Sequence, residues 1–125
     1  MTRLFIVPLF VFTLCAQAHA ACLTTNHRYS SGVLAASSTT VVHGPFSVQS
    51  GKGCRGIIEV GISQSGKGAK PQVYLEERIG SQWKEKAKVQ GASTRIAVHD
   101  GVYRVVYRNI SVNLASYSGY TKITR

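Results

Sequence analysis

From residue 21 onward, apolar side chains recur at alternate positions, in short runs broken by glycines. No segment keeps apolar residues three and four apart over a helical length, and β-branched residues and tyrosines fill the runs. The pattern predicts an all-β chain. Between residues 54 and 63, Gly56, Ile58, Val60 and Ile62 fall on one face and Arg55, Ile57, Glu59 and Gly61 on the other. Apolar groups on both faces predict a central strand. Shorter strands are predicted at 33–36, 39–42, 46–49, 110–114 and 120–123.

Two hairpins are expected. Asp100 and Gly101 supply the residue types of a two-residue type I′ turn. Pairing outward from that turn sets Val98 opposite Tyr103, Ile96 opposite Val105 and Thr94 opposite Tyr107, all on one face. His99, Ala97, Arg95, Val102, Arg104 and Val106 fall on the other. The second hairpin turns at Gly80. A two-residue Gly80-Ser81 turn would put Lys84, Lys86 and Lys88 on the apolar face of Val73, Leu75 and Ile79, burying three ammonium groups. A three-residue loop, Gly80 to Gln82, instead pairs Ile79 with Trp83, Leu75 with Ala87 and Val73 with Val89, and turns the lysines outward. Seven to nine such strands predict a two-sheet antiparallel β-sandwich, jelly-roll or immunoglobulin-like.

The N-terminus changes the picture of where this domain works. Residues 1–20 hold one cation, Arg3, then an apolar run from Leu4 to Ala16 interrupted by Pro8 and Thr13, then Ala18, His19 and Ala20. A charged start, a short apolar middle and a small-x-small end predict a cleaved signal peptide and a secreted or periplasmic protein. The run is shorter than a membrane span. Cys15 after Leu14, and Cys22 with His19 three places before it, suit lipid attachment poorly. The expected product is a single domain, 21–125, enough for one modest core. It keeps two cysteines, Cys22 and Cys54, which an oxidising compartment would bridge; a free buried Cys54 is the alternative.

Cleavage removes one cation, so the product carries +9 against +10 for the full chain. Such a field favours anionic partners, and export argues against intracellular nucleic acid. Projecting from one strand face, Lys84, Lys86 and Lys88 are expected to join Arg78 opposite Lys84 and Tyr74 opposite Lys88, with Arg104 and Arg108 as a second outward pair. Lysines on an edge strand also guard against sheet-to-sheet aggregation, and excess charge also maintains solubility. Gln-Ser-Gly-Lys-Gly occurs at 49–53 and again at 64–68. Neither copy fits a phosphate loop, and both read as hairpin tips at opposite ends of the sandwich, although a Gly-Lys-Gly backbone is also able to cradle an anion.

Catalytic chemistry finds little support. No serine sits in a Gly-x-Ser-x-Gly turn, adjacent His99 and Asp100 diverge along a strand, and His27, His43 and His99 lack ligand spacing, so no metal or other cofactor is expected. One carboxylate pair stands out: the chosen register sets Glu77 opposite Glu85 on the inward face, where like charges would raise one pKa as in a glycoside hydrolase. Pairing with Arg78 or a lysine at the rim is the structural alternative.

The stretch Ile96-x-Val98, Asp100-Gly101-Val102-Tyr103-Arg104-Val105, then Tyr117-Ser118-Gly119-Tyr120 resembles the closing strands of bacterial pre-peptidase C-terminal-like β-sandwich domains. That resemblance implies a secreted or periplasmic binding sandwich, and periplasmic goose-type lysozyme inhibitors are similar in size and strand order. It would make Ser118, Gly119 and Tyr120 an inhibitory loop, with the tyrosine one place early. The +9 charge and the Cys22–Cys54 bridge depart from the pattern. Three functions follow as expectations. The first is a non-enzymatic protein binding an anionic polysaccharide, lipopolysaccharide or acidic protein. The second is a hydrolase inhibitor, and the third a small glycoside hydrolase.

Overall fold

The computed structural model describes residues 22–63 and 70–125. The expected signal peptide and the second Gln-Ser-Gly-Lys-Gly copy lie outside the described residues. Eight strands run in chain order: β1 Thr24–Leu34, β2 Thr39–Val48, β3 Gly56–Ser63, β4 Gln72–Ile79, β5 Gln82–Lys88, β6 Ser93–Val98, β7 Gly101–Arg108 and β8 Ala115–Thr124. They form two antiparallel four-stranded sheets, β1-β8-β3-β6 (sheet I) and β2-β7-β4-β5 (sheet II). This order is that of an eight-stranded jelly roll rather than an immunoglobulin fold. No helix among the described residues is long and apolar enough to cross a membrane.

Alternation builds the core. Ile58, Val60, Ile62, Val98 and Ile123 point inward from sheet I and meet Val73, Leu75, Tyr103, Val105 and Tyr107 from sheet II. Each such side chain removed from water contributes about 1.5–3 kcal/mol. The two tyrosines are fully buried yet keep their hydroxyls satisfied. Tyr107 donates across the sandwich to the Gly61 carbonyl at 3.3 Å, and Tyr103 donates to the His99 carbonyl at 2.6 Å. Burial pushes the Tyr103 phenol up to about 12. Cys22 and Cys54 are bridged, tying the described N-terminus to the start of β3. As expected, β3 is central, lying between β8 and β6.

Two expected registers are corrected. The residues around Asp100-Gly101 do not form a hairpin: β6 pairs with β3 in sheet I, and β7 lies between β2 and β4 in sheet II. The connection arches from one sheet to the other. It is held by the Tyr103 hydroxyl on the His99 carbonyl and by the Asp100 Oδ1, which accepts from Ser50 N at 2.9 Å. Val98, Tyr103, Val105 and Tyr107 still face the core, since an arch preserves the inward face that a hairpin would also have given.

At Gly80 the structure keeps the two-residue turn, Ile79 pairing with Gln82, and then inserts a bulge. Glu76 opposes Glu85 while the next pair is Leu75 with Ala87, which leaves Lys86 as the extra residue. The bulge restores the expected Leu75–Ala87 pairing, and Val89 N donates to Val73 O at 2.9 Å. Gly80, at φ +63°, takes the turn conformation a side chain disfavours.

The predicted strand at 110–114 is a loop. Buried Asn109 organises it, donating to the carbonyls of Leu34, Ala35 and Asn113 and accepting from Ser111 N. One amide thus satisfies the backbone of two loops, which is why the apolar Ile110, Val112 and Leu114 stay exposed.

Candidate functional site

The outer face of sheet II gathers the aromatic and cationic side chains that point away from the core. On β4 these are Tyr74, Glu76 and Arg78, and on β7 Arg104 and Arg108. On β5 the two-residue turn sets Trp83 opposite Arg78, and the bulge beyond it sets Lys88 opposite Tyr74, both on the same face. The Arg104 guanidinium lies 4.3 Å from the Trp83 ring centre while its Nε donates to Glu76 Oε1 at 2.7 Å. Arg104 is thereby fixed between a carboxylate and an indole. Tyr74, its hydroxyl donating to Gln72, carries Arg108 at 5.2 Å and Lys88 at 5.9 Å from its ring centre. Cations over aromatic faces at these separations are attracted by about 0.5–1 kcal/mol each at exposed sites. A shallow cavity of about 350 Å³ opens beside them, bounded by Thr39, Thr40 and Val41 of β2 and floored by Val106.

The six expected anion-binding residues divide. Arg104 and Arg108 line this cavity, Lys88 reaches the Tyr74 ring at its border, and Arg78 shares the face, its Nε turned to the Gly80 carbonyl at 3.2 Å. Lys84 and Lys86 do not. The two-residue turn puts Lys84 opposite inward-facing Glu77, and the bulged Lys86 directs its ammonium to Glu77 Oε2 at 3.9 Å. Burying lysines argued against this turn, but on the edge strand β5 Lys84 and Lys86 stay exposed, and Lys86 meets a buried carboxylate besides. Glu77, 8% exposed, also binds His99 Nε2.

The Glu77–Glu85 pair is corrected by the same geometry. Glu77 faces inward toward Lys86 and His99, whereas Glu85 lines the outer cavity opposite Glu76. The two carboxylates therefore do not form a dyad. The Ser118, Gly119 and Tyr120 segment is not a loop either. It lies within β8, paired on one side with β3 and on the other, at Gly119 and Tyr120, with β1. A strand held on both edges has no free segment to insert elsewhere.

Two groupings escaped the sequence. His27 and His43, sixteen places apart on β1 and β2 of opposite sheets, stack at 4.2 Å between ring centres, and His43 stacks on Phe46 at 4.6 Å. Burial, with His27 alongside, lowers His43 to about 4. Trp83 was expected inside; the two-residue turn, which pairs it with outward-facing Arg78, turns it outward. Among the described residues no three His, Cys, Asp or Glu side chains are grouped to hold a metal ion.

The carboxylates are largely engaged. Glu59, Glu76 and Glu77 meet Arg95, Arg104 and Lys86, and Asp100 accepts a backbone N–H. These are the only cation–carboxylate contacts involving lysine or arginine among the described residues, so most of the positive charge is uncompensated. No family model matches this chain, and none of the curated proteins matches it.

Proposed function

We propose that this is a non-enzymatic binding protein, secreted or periplasmic, that engages an anionic polymer through the outer face of sheet II. One observation carries the reading: Lys88, Arg104 and Arg108 converge on two aromatic rings beside an open cavity. Arg104 is held rigidly by Glu76 and Trp83, which lowers the ordering entropy of a contact made by its remaining N–H groups. Arg108 and Lys88 lie over Tyr74 with no carboxylate partner among the described residues, and they supply the charge. An extended polymer such as an acidic polysaccharide or lipopolysaccharide suits a flat, open face better than a small ligand, which needs enclosure. The leader-like N-terminus and the Cys22–Cys54 bridge support an oxidising compartment.

The test is retention on immobilised heparin with salt-step elution. Arg108→Gln combined with Lys88→Gln should elute at markedly lower salt than wild type, while Lys84→Gln combined with Lys86→Gln should shift it less. Equal elution of the first variant and wild type would assign binding to another surface. Affinity governed by exposed charges also falls as salt shortens the Debye length from about 10 Å at 0.1 M to about 3 Å at 1 M.

A further inference from the structure

Sheet I has an outer face of a different kind. Pairing of β8 with β3 sets Tyr120 opposite Gly61 and Lys122 opposite Glu59, and pairing with β1 sets Arg28 opposite Tyr120 and Asn26 opposite Lys122. The Tyr120 ring occupies the space over Gly61, where a Cβ would come within 2.1 Å of Cε1 and 2.5 Å of Cζ. Only glycine lets the ring lie this close to the backbone of β3. Its hydroxyl donates to Glu59 Oε2 at 2.9 Å, and Glu59 Oε1 lies 3.9 Å from Arg95 Nε. The Glu59 hydrogen bond and burial hold the Tyr120 proton and raise its pKa. The ring is therefore anchored at its tip by a carboxylate and backed by the sheet, beside an open cavity of about 450 Å³ that Arg28, Ser63, Ser118 and Lys122 also line.

A flat aromatic surface stacks against the C–H face of a sugar ring, burying apolar area without desolvating hydroxyls. Hydroxyl, amide and carboxylate side chains around it take sugar hydroxyls, and guanidinium takes a carboxylate with two parallel hydrogen bonds. Glu59 bears on the choice of ligand. A carboxylate at the site accepts from O–H donors, which a sugar offers, and repels polyphosphate, which offers none.

We propose that this cavity binds an acidic saccharide, its sugar ring stacked on Tyr120 and its carboxylate met by Arg28 and Lys122. The site lies on the opposite side of the sandwich from Tyr74 and Arg108 and does not rest on the sheet II reading, so either can fail without the other.

The test is backbone-amide NMR titration of the disulfide-bonded protein. Its probes are oligogalacturonate, hyaluronan and chondroitin sulfate oligosaccharides, with cellotetraose as the neutral control and inorganic polyphosphate as the charge-only control. At least one acidic oligosaccharide should shift the amides of Arg28, Ser118 and Lys122, binding tenfold or more tighter than cellotetraose. Gly61→Ala should weaken that binding at least tenfold, because the new methyl displaces the ring. Should Gly61→Ala fail to fold, Tyr120→Leu removes the ring instead, with the same loss expected. Arg108→Gln should leave this binding unchanged. The proposal is overturned if no acidic oligosaccharide moves those amides or if polyphosphate matches the saccharides. It is equally overturned if binding survives loss or displacement of the ring, or disappears with Arg108→Gln.

Discussion

Lowering the pH should destabilise this protein through one histidine, and replacing that histidine should remove much of the effect. His43 sits in β2 where the pairing with β7 breaks at Gly44-Pro45, between the rings of His27 and Phe46. Its Nδ1 is buried with no hydrogen-bond partner among the described residues. Burial, and then the neighbouring His27, hold its pKa near 4 in the folded protein against 6.5 for a free histidine. Between those values the unfolded chain binds a proton that the folded chain refuses. Stability is therefore fully present above about pH 7 and declines as pH falls toward 4. The full difference corresponds to about 3 kcal/mol, and because His43 is only partly buried, solvent screening reduces it to about 1–2 kcal/mol.

His43→Phe keeps a flat ring in the stack and removes the titrating group. Carboxylate protonation is common to both proteins and cancels in their difference. The variant's advantage over wild type should widen by about 1–2 kcal/mol between pH 7.5 and 4.5, or roughly 5–15 °C in melting temperature for a domain of this size. At pH 8 a smaller constant advantage, up to about 1 kcal/mol, should remain from removing an unsatisfied buried nitrogen. Thermal melts followed by circular dichroism at fixed ionic strength measure both. Parallel stability curves across that pH range would refute the assignment of the acid sensitivity to His43.

Other substitutions probe the frame around the two faces. Gly119→Ala should destabilise by about 3 kcal/mol or more, since its Cβ would lie 2.2 Å from the Tyr107 hydroxyl and 2.4 Å from the Gly61 carbonyl, neither free to retreat; Gly61→Ala, whose nearest neighbours are all atoms of the outer Tyr120 ring, should cost far less, and denaturant unfolding ranks the two. Replacing Cys22 and Cys54 together by Ser should lower unfolding free energy by about 3–4 kcal/mol, read from urea midpoints against wild type. Asn109→Ala should cost about 1–3 kcal/mol by leaving carbonyls of two loops without their donor, with faster amide exchange at Ser111 and Asn113 as the local signature.

What alternation along the chain decides is which side of a strand faces the core, and that much was readable at nearly every strand. It does not decide which strand lies next door. In a jelly roll of this order, β4–β5 is the only consecutive pair adjacent within a sheet. Every other connection crosses between layers, and a two-residue Asp-Gly signal looks the same whether the chain folds back in its sheet or arches over the core. The arch at His99-Asp100 is specified instead by contacts distant in sequence, Ser50 to Asp100 above all. The bulge at Lys86 has the same origin. Rejecting the Gly80-Ser81 turn required that inward lysines find no counter-charge, yet Glu77 lies in the facing strand and meets Lys86 there. The two-residue turn has already set Trp83 outward beside Arg104, and once that pair forms the extra residue shifts Lys88 outward onto Tyr74. The composition of the cationic face thus depends on a carboxylate buried beneath it. Glu77→Gln should loosen the bulge and disturb the Lys88–Tyr74 contact, read as backbone-amide shifts at Lys86, Ala87 and Lys88; unchanged shifts there with normal stability would separate the outer face from the inner pair.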